Sequence, residues 1–405
     1  MHTFQAIKIS ENIYWVGAID WELRNFHGYA TTRGSTYNAF LILGSEPILV
    51  DTVKEHFYDE MLARISSVID PNKIKYLISN HSEMDHSGCL PKVLDTFKGL
   101  EKIFASKAGA EALRDHFHLP REITAIVNGE TLNLGNIALK CFETRMLHWP
   151  DSMFTYCAND RVLFSQDGFG MHFATTELYA DENDAGVLYQ EAAKYYANIL
   201  LPYSPLVTKT LEKLPQLQLD IQIIAPDHGP LWRTKQDIAG IIANWERWAK
   251  QKYYPKALII YDTMWNSTAK MAATIADGLR GHDIEVKVLN LSTCSRSEVA
   301  AEVLECGALL VGSPTLNQEI FPTVADNLCY LHGLKPKNLI GQAFSSYGWG
   351  GEAQNILVDK LKGMGIELIS DGVKSKYVPT TEVLQKCFSL GKEVGAALKT
   401  KLVSN

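Results

Sequence analysis

Four side chains able to ligate a metal fall within six residues, in His81-Ser82-Glu83-Met84-Asp85-His86. They follow the apolar, β-rich run KYLISN and precede a stretch of helical spacing that starts near Leu90. In an extended segment residues i and i+2 face the same side, so these side chains can converge on one point. Imidazoles and carboxylates that converge call for a metal ion. Three more ligand-type residues stand at other strand ends: His148 in MLHWPD, Asp167 closing RVLFSQD, and His228 in IIAPDHG. Each taken alone is an ordinary loop residue. Together they describe a site built on loops at one rim of a rigid sandwich. The seven offer four imidazoles and three carboxylates. Hard oxygen donors favour iron or manganese over zinc, and a carboxylate such as Asp167 that can bridge suits a pair of redox-active ions. Iron is the expected metal.

A second constellation opens where the strand ALIIYD runs into Thr263, Met264, Trp265, Asn266, Ser267 and Thr268 and then a helix. Hydroxyls and backbone N–H groups at a helix N-terminus form a phosphate cradle. This segment carries neither G-x-x-x-x-G-K nor G-x-G-x-x-G, which speaks against a nucleoside triphosphate or a dinucleotide. A cradle without lysine suits one phosphate that is held rather than transferred. Two later strand ends add to it: Ser313, Pro314, Thr315, Leu316 and Asn317, then Ser346, Tyr347, Gly348, Trp349, Gly350 and Gly351. Ligands of doubly wound sheets sit outside the carboxyl ends of the strands, so the three loops should line one crevice. Glycines permit close backbone approach, and Trp265, Tyr347 and Trp349 can flank a planar ring. FMN is the ligand expected there.

The elements that must position these residues change character along the chain. Up to about residue 245, short runs rich in Val, Ile, Tyr and Phe (NIYWVGAI, TYNAFLILG, PILVDTV, KIFAS, ALKCFET, FTYCAND) alternate with tight turns, which fits a mixed or antiparallel sandwich. Helical spacing over 56–69, 90–97 and 108–117 provides outer layers. After a helical stretch from Asp237 to Gln251 the pattern becomes a regular alternation of five strands and five helices, as in a doubly wound parallel sheet. The boundary is expected near Tyr253, giving domains 1–252 and 253–405.

With 405 residues, 46% apolar and 21% charged, the chain can bury two sizeable cores. A net charge of −7 without a basic patch argues against a nucleic-acid partner. The apolar runs are strand-sized, far below the roughly 20 residues of a membrane span. The N-terminus lacks the pattern of a secretory signal, so a cytoplasmic protein is expected. Seven scattered cysteines contain no C-x-x-C pair and read as free, mostly buried thiols.

The rim of ligands resembles the metallo-β-lactamase superfamily, with Glu83 standing where the zinc hydrolases of that fold place a histidine. In combination, HSEMDH (81–86), MLHWPDSM (146–153), Asp167, PDHG (226–229), YDTMWNST (261–268), VGSPT (311–315) and SYGWGG (346–351) make the chain resemble the flavodiiron proteins, or A-type flavoproteins, over essentially its whole length. The resemblance implies a metallo-β-lactamase-like αββα sandwich followed by a flavodoxin-like doubly wound sheet, with reduction of O2 to water, of NO to N2O, or both. It places one iron on His81, Glu83 and His148 and the other on Asp85, His86 and His228, bridged by Asp167. It also matches His27 and Tyr195 to residues near the bound gas that donate hydrogen bonds or protons. Reduction of O2 to two waters takes four electrons, which a diferrous pair and reduced FMN together hold. The family implies a head-to-tail homodimer, or a dimer of such dimers, that sets the FMN of one subunit beside the diiron site of the other. With no C-x-x-C pair for a fused rubredoxin, the electrons are expected from a separate rubredoxin or another small redox carrier. A zinc-dependent hydrolase on the same fold, with an FMN-binding regulatory domain, is the alternative. No residue near either motif selects O2 over NO.

Overall fold

The alternation of side chains along the strands decides how the layers stack. A computed structural model describes residues 4–404. In the first of its two compact units, the strands Ile48–Val50, Tyr76–Ser79, Lys102–Ser106 and Thr124–Ile126 run parallel, side by side. Phe40–Ile42 and Ile13–Trp15 extend this sheet antiparallel on its other edge. Leu49, Leu77 and Ile103 point to one face, where they pack on Met61, Ile65, Val93 and Leu113. Those partners come from the helices Tyr58–Ser66, Leu90–Thr96 and Lys107–Phe117. The alternate residues Ile48, Val50, Ile78 and Phe104 meet Leu139, Cys141, Met153, Val162 and Phe164 of a second sheet. That sheet has the order Thr131–Leu134, Ile137–Glu143, Met153–Cys157, Val162–Gln166, Ile223–Pro226. Its first four strands are antiparallel neighbours and the last pair is parallel. On its outer side Phe169 packs, tilted, against Trp245 of the helix Lys235–Lys250, ring centres 4.5 Å apart. The result is helix, sheet, sheet, helix, the αββα sandwich expected.

Several local expectations change. The run TYNAFLILG breaks into Ser35–Tyr37 and Phe40–Ile42. Asn38 turns the chain between them, its amide donating to the carbonyls of Pro226 (2.7 Å) and Gly229 (2.9 Å). The helices Ala185–Tyr195 and Ser204–Lys213 were not anticipated. Asp184, whose carboxylate accepts the Val187 N–H at 2.9 Å, is the N-cap that marks the first of them.

In the second unit the strands lie in the order Glu285–Asn290, Lys256–Tyr261, Ala308–Leu316, Ile340–Tyr347, Glu367–Leu368, all parallel. This is the flavodoxin-like 2-1-3-4-5 order, with its switch point between the first and third strands in sequence. Helix Ser267–Leu279 packs closely on Thr381–Val403, because Gly278 and Gly391 let the backbones approach. A Cβ on Gly391 would fall 2.2 Å from the Ile275 carbonyl oxygen. The run IELIS forms only the short strand Glu367–Leu368, and an unexpected strand, Val373–Lys376, pairs beside it on Ile340–Tyr347. The unit also takes in two short stretches of the earlier chain, 27–30 and 196–204, and its main run begins at Arg247. All seven cysteines are free, five of them buried. Among the described residues no helix is long and apolar enough to cross a membrane.

Candidate metal centre and flavin cradle

Asn80, the residue after the strand Tyr76–Ser79, ties the two sheets together at the rim. Its backbone and side-chain N–H groups both donate to Asp51 at 2.7 Å. Its own carbonyl accepts the Met153 N–H at 3.0 Å, and its side-chain oxygen accepts the Thr155 hydroxyl at 2.6 Å. The six residues that follow therefore start from a rigid base. A single helical turn, Met84–Ser87, leaves Met84 half exposed and buries Asp85 and His86. The other three donors stand at strand ends of the second sheet: His148 between Ile137–Glu143 and Met153–Cys157, Asp167 after Val162–Gln166, and His228 after Ile223–Pro226.

The structure brings all seven predicted donors together in two groups. His81, Glu83, His148 and Asp167 form one, and Asp85, His86 and His228 the other, with the ligand atoms in each within 4.8 Å of one another. Asp167 joins them. Its Oδ2 lies 2.8 Å from His148 Nε2 and 3.4 Å from His81 Nε2, while Oδ1 lies 3.2 Å from His86 Nε2 and 3.5 Å from His228 Nε2. Every imidazole thus presents Nε2 to the centre.

Outer hydrogen bonds hold two of these rings in place. His81 Nδ1 donates to Asp151 Oδ2 at 3.0 Å, and the same oxygen accepts the Ser82 N–H at 2.6 Å. His228 Nδ1 donates to the Thr36 carbonyl at 2.6 Å. Such contacts set the tautomer that leaves Nε2 with its lone pair toward a metal. Asp151 was missed in the sequence, although it lies inside the MLHWPDSM motif, because nothing in the spacing says that it reaches back to His81.

Both carboxylate oxygens of Asp85, both ring nitrogens of His86 and Oδ1 of Asp167 are buried without a hydrogen-bond partner. Burying polar atoms in this way is costly unless something else satisfies them; a pair of cations would satisfy those turned to the centre, which leaves His86 Nδ1, on the far side of its ring. The charges agree. Burial alone would lower His86, but Asp85, Asp167 and Asp227 raise it to about 10. Burial also acts to lower His81 and His148, yet Asp151, Glu83 and Asp167 hold His81 well above its ordinary range, and Asp167 and Glu83 raise His148. Burial would raise the carboxyls of Asp85 and Asp167, and the imidazoles around them reverse this and hold both well below their ordinary range. The pocket is thus built for positive charge, and donors of this chemistry fit two divalent ions.

Tyr195 is fully buried, its ring 6.2 Å from that of His228. Burial, then the nearby charges of Asp167, Asp85 and Glu83, push its phenol far above the ordinary range, so it stays a neutral donor. His172, also missed in the sequence, packs between Tyr195 and His228 and meets Ser35 Oγ at 2.8 Å. His27 joins neither group of donors. It is exposed, in a left-handed turn (φ 52°), and its segment belongs to the second unit. There the Ser297 hydroxyl accepts the Ala30 N–H at 2.9 Å and the Gly28 carbonyl accepts from Arg296 at 3.3 Å.

In the second unit the three predicted loops stand at the carboxyl ends of Lys256–Tyr261, Ala308–Leu316 and Ile340–Tyr347. Thr263 to Asn266 lead into the helix Ser267–Leu279, with Asn266 in the left-handed region (φ 62°). Thr268 Oγ1 and Ser346 Oγ, 2.9 Å apart, link the first loop to the third. The strand Ala308–Leu316 runs on through Ser313, Pro314 and Thr315 and turns back at Asn317 to pair with Glu319–Ile320, so this lining is a hairpin and not an open loop. Tyr347 likewise ends a strand, followed by the loop Gly348 to Gly351. Buried hydroxyls of Thr263 and Thr315 have no partner, while Trp265 (88% exposed) and Trp349 (94%) stand out in solvent. Unsatisfied hydroxyls and exposed aromatic side chains at neighbouring strand ends fit a phosphate and a planar ring.

Residues 36–229 match the family described as ODP family beta lactamase, and residues 259–391 match flavodoxin. A nitric oxide reductase of Moorella thermoacetica is 45% identical over 97% of this chain and 99% of its own length. The solved flavodiiron protein of Giardia intestinalis is 33% identical, covers 99% of this chain and 98% of its own, and superposes with a TM-score of 0.94. This chain is a flavodiiron protein. The rubredoxin oxygen:oxidoreductase of Desulfovibrio gigas is nearer in shape, with a TM-score of 0.96, 41% identity, and coverage of 98% of this flavodiiron protein and 100% of that chain. The ODP match spans all seven metal donors and the flavodoxin match all three cradle segments.

Proposed function

We propose that this flavodiiron protein reduces O2 to water, NO to N2O, or both, at a pair of irons supplied with electrons through FMN, residues 1–252 forming the diiron domain and 253–405 the FMN domain. The observation that carries this reading is Asp167, whose two carboxylate oxygens face different groups of donors. When bound, the iron pair supplies open coordination positions and electrons for a diatomic gas, and FMN relays further electrons to it. His81, Glu83 and His148 would hold one iron, Asp85, His86 and His228 the other, and Asp167 both.

The chain's own part is orientation, exclusion of water and supply of protons. Asp151 and the Thr36 carbonyl keep the His81 and His228 rings turned inward. Tyr195, its phenol held far above the ordinary range, would hold a proton at its phenol oxygen close to Asp167. Thr263, Thr268, Thr315 and Ser346 would bind the FMN phosphate and ring edge, with Trp265, Tyr347 and Trp349 about the ring. Met264, Asn266, Ser267, Ser313, Pro314, Leu316, Asn317, Gly348, Gly350 and Gly351 complete the cradle. His27 would take part from outside the donor groups.

One relative is named for rubredoxin, which supports rubredoxin, or a similar small carrier, as electron donor. A head-to-tail homodimer in the cytoplasm completes the reading, and a fully active monomer at high dilution would overturn the dimer. The decisive experiment is anaerobic stopped-flow mixing of the reduced protein with O2 or with NO. Rapid reoxidation by either gas is expected, and reoxidation by neither would refute the function. Metal analysis of protein purified without added metal should find iron with a flavin spectrum, whereas zinc alone would point to the hydrolase.

A further inference from the structure

We infer that Asp227 is the positioning residue of His86, and that it governs occupancy of the metal position formed by Asp85, His86 and His228; this rests on the diiron reading above. The outer nitrogens of His81 and His228 already have acceptors, at 3.0 and 2.6 Å. His86 differs. Its Nδ1 faces Asp227 Oδ2 at 3.5 Å, and neither that nitrogen nor either Asp227 oxygen makes a hydrogen bond. Both residues are pinned through their backbones. The Thr52 N–H donates to the His86 carbonyl at 2.9 Å, the Asp227 N–H donates to the Gln166 carbonyl at 2.8 Å, and the Asn38 N–H donates to the Asp227 carbonyl at 2.7 Å. Asp227 is fully buried and cannot turn to water for a partner.

One proton between Nδ1 and Oδ2 satisfies both atoms, which already face each other at 3.5 Å. Only the arrangement with that proton on Nδ1 leaves a lone pair on Nε2 for a metal. A cation on Nε2 in turn strengthens the Nδ1–H donor, so metal and Asp227 hold the ring from opposite sides. The neighbouring group of donors has its own holder in Asp151. The two metal positions therefore depend on different carboxylates.

The test is anaerobic titration of metal-stripped full-length chain with Co(II), read by its ligand-field absorption and by metal per chain, for wild type, Asp227→Asn, Asp227→Val and Asp151→Asn. Wild type should bind two ions. Asp227→Val should lose affinity about 10–100-fold for one ion only, and Asp227→Asn, which keeps an acceptor oxygen, should recover part of it. Asp151→Asn should weaken the other ion, with a different spectral change. In parallel, nitrogen-15 NMR of Zn(II)-loaded wild type should find a slowly exchanging proton on His86 Nδ1, a readout that needs no variant to fold. Equal, wild-type affinity for both ions in the Asp227 variants, loss of the same ion from the Asp227 and Asp151 variants, or a His86 bound through Nδ1 would each overturn the inference. Failure of wild type to bind two ions would overturn the diiron reading as well, and so separates the two.

Discussion

Replacing Asp151 with alanine removes the acceptor that holds His81, and its cost can be worked out from the contacts it loses. Asp151 Oδ2 takes both the His81 Nδ1–H at 3.0 Å and the Ser82 N–H at 2.6 Å, in a side chain only 3% exposed. Outer contacts of this kind are worth about 10–100-fold in metal affinity, or about 1.4–2.8 kcal/mol. Although burial would raise the Asp151 carboxyl, His81 and the Ser82 N–H lower it from 3.8 to about 2. At about 1.4 kcal/mol per pH unit this corresponds to about 2 kcal/mol of preference for the ionised form. That preference keeps Asp151 ionised, and so an acceptor for His81, at neutral pH. Because the folded pKa is depressed, the contribution is complete above the ordinary carboxyl range near 3.8 and disappears as the pH falls through about 2. At neutral pH the alanine variant should therefore bind its weaker Fe(II) about 10–100-fold less tightly than wild type. Asparagine keeps a neutral acceptor in place and should fall about halfway, since charge-assisted bonds are roughly twice as strong as neutral ones. The assay is anaerobic competition with a chromophoric chelator, with near-ultraviolet circular dichroism as a check on folding. A well-folded alanine variant of unchanged affinity would refute the claim that Asp151 positions the metal-binding nitrogen of His81.

Tyr195→Phe should lower turnover with either gas about 100-fold, the low end for loss of a proton donor, with iron and FMN contents unchanged; full turnover would remove Tyr195 from the reaction. Glu83→His should raise zinc at the expense of iron in the isolated protein, measured by elemental analysis, because it exchanges a hard oxygen for a nitrogen donor. Since His86 stands near 10 without metal, loading metal at neutral pH must displace its proton, so affinity falls as pH falls and uptake acidifies a weak buffer; pH-independent uptake would contradict this. Thr268→Val breaks the 2.9 Å contact with Ser346 and should weaken FMN binding to the flavin-stripped protein by about fivefold, from the loss of about 1 kcal/mol, followed by flavin fluorescence.

Much of this protein was legible in the order of its residues, and for definite reasons. The donors from His81 to His86 sit in a short loop after a strand, so their spacing alone determines that they can converge. The cradle segments stand at strand ends in a regular alternation, whose topology leaves one crevice for a ligand. Glu83, as the carboxylate among imidazoles, separates this donor set from those of zinc hydrolases by type alone.

Other features depend on contacts between residues far apart in sequence. His81 and Asp151 are 70 residues apart, and His228 finds its acceptor 192 residues away at Thr36. Neither pairing leaves a local pattern. Asn38 ends a strand that its neighbours would continue, because its amide is claimed by carbonyls near residue 226. Residues 27–30 lie in sequence beside first-unit strands, yet hydrogen bonds to Ser297 and from Arg296 draw them into the second unit. Residue types and local spacing were enough to determine which chemistry the chain carries, because metal preference and phosphate cradles are properties of nearby groups. Which nitrogen of each histidine faces the centre, and that Asp167 stands between the two groups of donors, were decided only when the two sheets packed, because those choices depend on distances that exist nowhere but in the folded chain.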